Sequence, residues 1–222
     1  MKGTVLGAFF LAFALMIGMA PASQAAKGFY IGTGAGIVFP SADDFEFDGD
    51  GDDDIELAPD PETGWNLELI HLGYNWNDKW GLGLQLWNMM YFKDQDLEGI
   101  PDDFGMSSIT VSGRYTHDTG EYPVIPYAEL GIGAYSYGSE GWNIFSDDID
   151  MSGYGGRLAV GGQYYLKNFY ISPELGYHYA VMTHGTLNDY DIFVGQEDYD
   201  LDNEPAIQAI TLMLKIGYHW RR

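Results

Sequence analysis

The chain has 222 residues, with 33 acidic side chains against 10 basic ones, a formal net charge of −23 and no cysteine. Such acidity repels polyanions, which excludes a nucleic-acid-binding surface, and the missing thiols exclude disulfides, zinc–thiolate sites and a lipid-bearing N-terminal cysteine. Thirty glycines with 17 Tyr, 12 Phe and 6 Trp favour strands and tight turns over helices.

At the N-terminus Lys2 precedes the apolar run Val5 to Ile17, and small residues then lead to Ser23-Gln24-Ala25. This pattern predicts a signal peptide over residues 1–25, cleaved after Ala25, and a single domain over residues 26–222. An N-terminal membrane anchor is the rival reading, but the run falls short of the roughly 20 residues a spanning helix needs. Beyond it no apolar stretch is long enough for such a helix. Any membrane span therefore consists of strands in a closed barrel, because lipid offers no partner to an unpaired backbone group.

From Phe29 to Phe39 bulky residues alternate with Gly32, Gly34 and Gly36, the period of a strand with one apolar face. Loop 40–63 follows, and then a less regular strand from Trp65 to Tyr74. The alternation resumes with Leu82, Leu84 and Leu86 against Gly81, Gly83 and Gln85, and with Ile109 and Val111 against Thr110, Ser112 and Arg114. Leu130 and Ile132 then face away from Glu129 and Gly131, Leu158 and Val160 from Arg157 and Gly161, and Leu175 and Tyr177 from Glu174 and His178. The last segment sets Ile210, Leu212, Leu214 and Ile216 against Thr211, Met213 and Lys215, which brings the number of strands to eight.

The connections alternate in length: 75–79, 118–123 and 166–168 are short, whereas 40–63, 93–105, 138–151 and 184–205 are long. Short periplasmic turns with long extracellular loops belong to outer-membrane barrels. The expected fold is thus all-β, an eight-stranded antiparallel up-and-down transmembrane β-barrel with bulky residues toward lipid and small or ionic ones in the lumen. A soluble lipocalin-like barrel would invert the two faces. Aromatic girdles are expected from Trp65, Trp76, Trp80, Phe92, Tyr122, Tyr137, Tyr154, Phe169 and Trp220 near strand ends.

The chain resembles the outer-membrane β-barrel proteins that include the barrel of outer membrane protein A and the opacity-type surface proteins. The resemblance rests on the leader, on Gly28-Phe-Tyr-Ile-Gly-Thr-Gly-Ala-Gly36, on Leu72-Gly-Tyr-Asn-Trp-Asn-Asp-Lys-Trp-Gly81 and on Ile216-Gly-Tyr-His-Trp220. It implies a monomer in the outer membrane of a Gram-negative bacterium, in contact with lipid and lipopolysaccharide and delivered by periplasmic chaperones and the barrel-assembly machinery. Such barrels usually end on an aromatic residue, whereas Arg221 and Arg222 follow Trp220 here.

Two groups of charges are candidate sites. The four long loops hold 27 of the 33 acidic residues, among them Asp48, Asp50, Asp52 and Asp54 in an Asp-Gly repeat. Alternating carboxylates supply the hard oxygens Ca²⁺ prefers, but Asp53 stands where a helix-loop-helix site needs its glycine and Pro59 where it needs its glutamate. A solvated acidic loop is therefore favoured over a weak, millimolar-range Ca²⁺ site, and no other cofactor is expected. The second group is a lumen network: strand parity points Glu68, Arg114, Glu129, Arg157, Glu174 and Lys215 inward, where an eight-stranded barrel has room only for interlocked side chains.

Three functions remain open on the sequence alone. A structural and surface-interaction barrel is favoured; a narrow conduit for small solutes is the alternative. A lipid A-modifying enzyme is the third, resting on His184 with Thr183, Thr186 and Asp189, which match no motif of such enzymes, so a non-enzyme is expected.

Overall fold

A sheet with one apolar face leaves two unpaired edges, and both demands are met when it curls until the edges join. The computed structural model describes residues 27–43, 45–47, 55–57, 61–93, 103–117, 124–139, 149–187, 197–199 and 204–221. The proposed signal peptide, residues 1–25, lies outside them. Every regular element among the described residues is a strand: β1 (Gly28–Ala42), β2 (Phe45–Phe47), β3 (Ile55–Leu57), β4 (Gly64–Asn75), β5 (Trp80–Lys93), β6 (Asp103–Thr116), β7 (Val124–Ser139), β8 (Ile149–Leu166), β9 (Phe169–Leu187), β10 (Glu197–Tyr199) and β11 (Ala206–Arg221). Eight of these form the barrel, in the order β1-β4-β5-β6-β7-β8-β9-β11. The antiparallel ladder of β1 and β11 closes it from Gly28↔Arg221 to Ala42↔Ile207. The remaining three are short: β2 pairs with β3, and β10 extends the outer part of β9.

Alternation assigns the two faces as the sequence suggests. Leu130 and Ile132, in the middle of β7, are 70% and 75% exposed. No described Asp, Glu, Lys or Arg side chain interrupts the outer band between the strand ends, as hydrocarbon contact requires. Trp76, Trp80, Phe169 and Trp220 project outward at the turn end, and Trp65 stacks on Tyr91 at 4.2 Å toward the loop end. Tyr137 is a correction, because it shares the parity of Glu129 and is buried in the lumen rather than set in a girdle. The Phe92 and Tyr122 side chains lie outside the described residues.

Strands also run further than the sequence indicates: β5 and β6 stay paired to Lys93↔Asp103, and β8 and β9 to Ile149↔Leu187. Backbone pairing does not need the alternation, which is imposed only where one face meets lipid, so hairpins continue beyond the point where the pattern fades.

Three register shifts among the described residues break the pattern, one of them between Ser152 and Gly153 opposite His184 and Met182, and the other two turn side chains into the lumen. Gly32 and Gly34 pair with His71 and Glu68, so β4 carries one extra residue there and both Glu68 and His71 turn inward. The Thr33 hydroxyl donates to the Glu68 carbonyl at 2.6 Å beside it. On β5 the register shifts between Gln85 and Asn88, with Trp87 at φ 51°, and this moves Asn88 and Met90 into the lumen. With these faces assigned, Leu130→Arg should cost about 2–4 kcal/mol and Leu166→Arg, beside a turn, about 1 kcal/mol or less in urea unfolding from vesicles.

Candidate functional site

In the middle of the lumen seven charged or ionisable side chains from six strands meet, each of them at most 2% exposed. Arg114 and Glu129 are direct partners across β6 and β7, and Arg114 Nε donates to Glu129 Oε1 at 2.7 Å. The other Glu129 oxygen accepts from Arg157 Nη1 at 2.9 Å. Arg157 reaches diagonally across β8 and β9, where its Nη2 donates to Glu174. Lys215 Nζ lies 2.9 Å from that same Glu174 oxygen and 2.6 Å from Glu68 Oε2. His71 then returns the chain to its start, with Nδ1 3.1 Å from Glu68 and Nε2 3.5 Å from Glu129.

The contacts form a closed circuit across the lumen: Glu129, Arg157, Glu174, Lys215, Glu68 and His71, with Arg114 attached at Glu129. Three carboxylates face Arg114, Arg157 and Lys215, so acids and strong bases are equal in number in the circuit. Charges stripped of water to this degree are tolerable only when paired. Neutral groups supply the further bonds: Tyr127 donates to Glu174 Oε2 at 2.7 Å and lies 3.0 Å from Ser172 Oγ. The Arg114 guanidinium lies between the Tyr30 and Tyr127 rings, 4.4 and 4.3 Å from their centroids.

Glycines make the crossings possible. Gly34 of β1 lies between Lys215 and Glu68 in the register, and a Cβ there would come within 2.8 Å of Lys215 Cγ. Gly83 of β5 plays the same part for His71, since a Cβ would lie 3.1 Å from His71 Nε2 and 3.3 Å from Glu129 Oε1. The small face of each strand is thus the clearance that long charged side chains need to meet across intervening strands.

Toward the loop end the lumen changes character. Val38, Met90, Phe104, Met106, Tyr135, Tyr137, Met151 and Met182 belong to one buried apolar cluster, in which Phe104 stacks on Tyr137 at 5.4 Å. Tyr135 ties it to the polar part through His178 Nδ1 at 3.2 Å. Sequence reasoning read the lumen as small and ionic and missed this layer, although Phe104 and Met106 simply continue the even-numbered face of Ser108 to Arg114.

The structure therefore brings Glu68, Arg114, Glu129, Arg157, Glu174 and Lys215 into one cluster and adds His71, which the bulge on β4 concealed. His178 and His219 are also buried in the lumen, whereas His117 and His184 are exposed. Asp48, Asp50, Asp52 and Asp54 lie outside the described residues. Among the described residues no group of three or more His, Asp or Glu is placed to hold a metal ion. The Thr183 hydroxyl lies 2.9 Å from Nδ1 of the adjacent His184 in an exposed position, and Asp189 lies outside the described residues.

The sequence matches the family described as the outer membrane protein beta-barrel domain over residues 8–216. No curated protein matches it. Among solved structures the outer membrane protein OprG from Pseudomonas aeruginosa is similar, with a TM-score of 0.62 and 15% identity over 91% of this chain and 100% of that one. Neisserial surface protein A gives a TM-score of 0.55 and 17% identity over 89% of this chain and 100% of that one. The outer membrane protein AlkL, solved by solid-state NMR in DMPC lipid bilayers, gives a TM-score of 0.53 and 12% identity over 92% and 95%. At these identities the likeness is one of fold.

Glu129 bonds to both arginines, so its removal strands Arg114 and leaves Arg157 with Glu174 alone. Glu129→Ala is expected to cost about 3–5 kcal/mol. On an unheated gel the variant barrel should lose its compact mobility at a lower temperature than the native chain, and an unchanged temperature would contradict the pairing.

Proposed function

Since this chain belongs to the outer membrane protein beta-barrel domain family, we propose that it is an integral outer-membrane barrel with a structural and surface-interaction role, neither a conduit nor an enzyme. It is exported by a signal peptide over residues 1–25 into the outer membrane of a Gram-negative cell, with its turns in the periplasm and its long loops outside. The observation that carries this reading is the closed circuit of ion pairs across the lumen. An eight-stranded barrel is only just wide enough for its own side chains, and here both a charged layer and an apolar layer occupy that width. A hydrated ion would have to separate several buried pairs and then shed its water among methionines and aromatic rings.

The interaction surface in this reading is the loop end, which carries 27 of the 33 acids. It repels anionic macromolecules and attracts divalent cations, and through them the phosphates of lipopolysaccharide. Asp48, Asp50, Asp52 and Asp54 belong in this reading to a solvated acidic loop, with weak, millimolar-range Ca²⁺ binding there as the alternative and no other cofactor.

Planar-bilayer recording tests the closed lumen: the native protein should leave the bilayer silent, and reproducible single-channel steps would favour the conduit instead. Calorimetry decides between the two: a solvated loop gives no Ca²⁺ heat, whereas Ca²⁺ heat that falls when Asp48, Asp50 and Asp52 are changed to Asn would establish the site.

A further inference from the structure

On the lipid-facing wall of β9, β11, β1 and β4 the bulky band is interrupted by a groove of about 550 Å³. Its floor is the facing pair Gly32 and Gly217, where the wall is only backbone thick and Tyr170 covers the inner side. Its walls include Leu69, Phe169, Ile171 and Ile216. The extra residue of β4 contributes to the hollow, because Leu69 and Ile70 both border it where Thr33 is tied down to the Glu68 carbonyl. The lining is almost wholly apolar, which suits a hydrocarbon chain laid against the barrel.

A second observation concerns charge. The groove runs toward the turn end, where Leu166 and Phe169, both in its lining, flank the exposed Lys167. Lys27 immediately precedes β1, and Arg221 ends β11 opposite Gly28. Two of the strands that build the groove, β9 and β1, therefore begin beside exposed cations. The one described acid in a turn at this end, Asp78, lies in the connection between β4 and β5. Cations below an apolar slot match a lipid with a negatively charged headgroup.

The geometry points to a specific site for an anionic phospholipid of the periplasmic leaflet: one acyl chain lies in the groove over Gly32 and Gly217, and Lys167 holds the phosphate. This rests on the orientation given above, with the turns in the periplasm. It adds a fixed lipid ligand to a barrel otherwise surrounded by exchanging lipid.

Native mass spectrometry of the folded barrel in detergent tests it, with phosphatidylglycerol or phosphatidylcholine of identical acyl chains as probe. One phosphatidylglycerol should be retained about fivefold better, the factor supplied by one cation beside an anionic headgroup. Lys167→Asn should abolish that preference; asparagine tolerates the φ of 63° found at this position. Ile216→Trp, which fills the groove and keeps the charge, should lower retention of both lipids. Equal retention of the two lipids by the native protein would overturn the site. So would retention of both lipids that is unchanged in Ile216→Trp beside a preference that disappears in Lys167→Asn, since charge alone would then suffice. Heat-modifiability of each sample separates these outcomes from failure of the barrel itself.

Discussion

Glu129 accepts hydrogen bonds from two arginines on the strands either side of it, in a space from which water is excluded. That arrangement exists because an eight-stranded barrel in lipid has its hydrophobic surface on the outside, so apolar burial cannot drive closure as it does in a soluble core. What remains for the inside is to fill a narrow tube with groups that satisfy one another. Isolated, each ion there would cost several kcal/mol; joined in a circuit, with Tyr127 and Ser172 completing the coordination of Glu174, they fix the walls relative to one another. Glycines, otherwise a weakness in a strand, follow from the same constraint, because Gly34 and Gly83 leave the passage through which β4, β7 and β11 communicate.

The lumen is divided along its axis. Near the turns and the middle it is polar, and toward the loops it is lined by methionine and aromatic side chains. A charged layer resists separation because its parts would be left bare, while an apolar layer resists water because nothing there can bind it. The two barriers fail for different solutes, so together they close the path more completely than either one. In the sequence the acidic segments connect the strands at the apolar end, while Lys27, Lys79 and Lys167 stand at the turn end. The polarity of the molecule thus follows the membrane normal.

Much of this was legible because period two reports directly which side of a strand meets hydrocarbon. Arg114, Glu129, Arg157, Glu174 and Lys215 each have the parity opposite to the bulky residues of their strand, and that was enough to turn them toward one another. Glu68 read correctly for the same reason, but His71, three residues on, has the opposite parity and comes inward only because β4 gains a residue against Gly32 and Gly34. The bulge at Trp87 likewise hides Asn88 and Met90. A one-residue insertion leaves no mark in composition, and every face assignment beyond it inverts. Tyr137 and the Phe104–Met106 pair were obscured differently: bulky apolar residues look lipid-facing wherever they occur, and only strict parity with the charged residues further along β6 and β7 shows that they fill the tube.

The most direct measurement is a double-mutant cycle on Glu68 and Lys215, which meet over β1 and belong to strands that are not neighbours. Unfolding in urea would be followed for Glu68→Gln, Lys215→Met and the pair together. An interlocked lumen predicts that the double variant loses less than the two single losses combined, with a coupling of about 1 kcal/mol or more. Strictly additive losses would mean that the two charges do not sense each other across the lumen, and the circuit would not be what holds it shut.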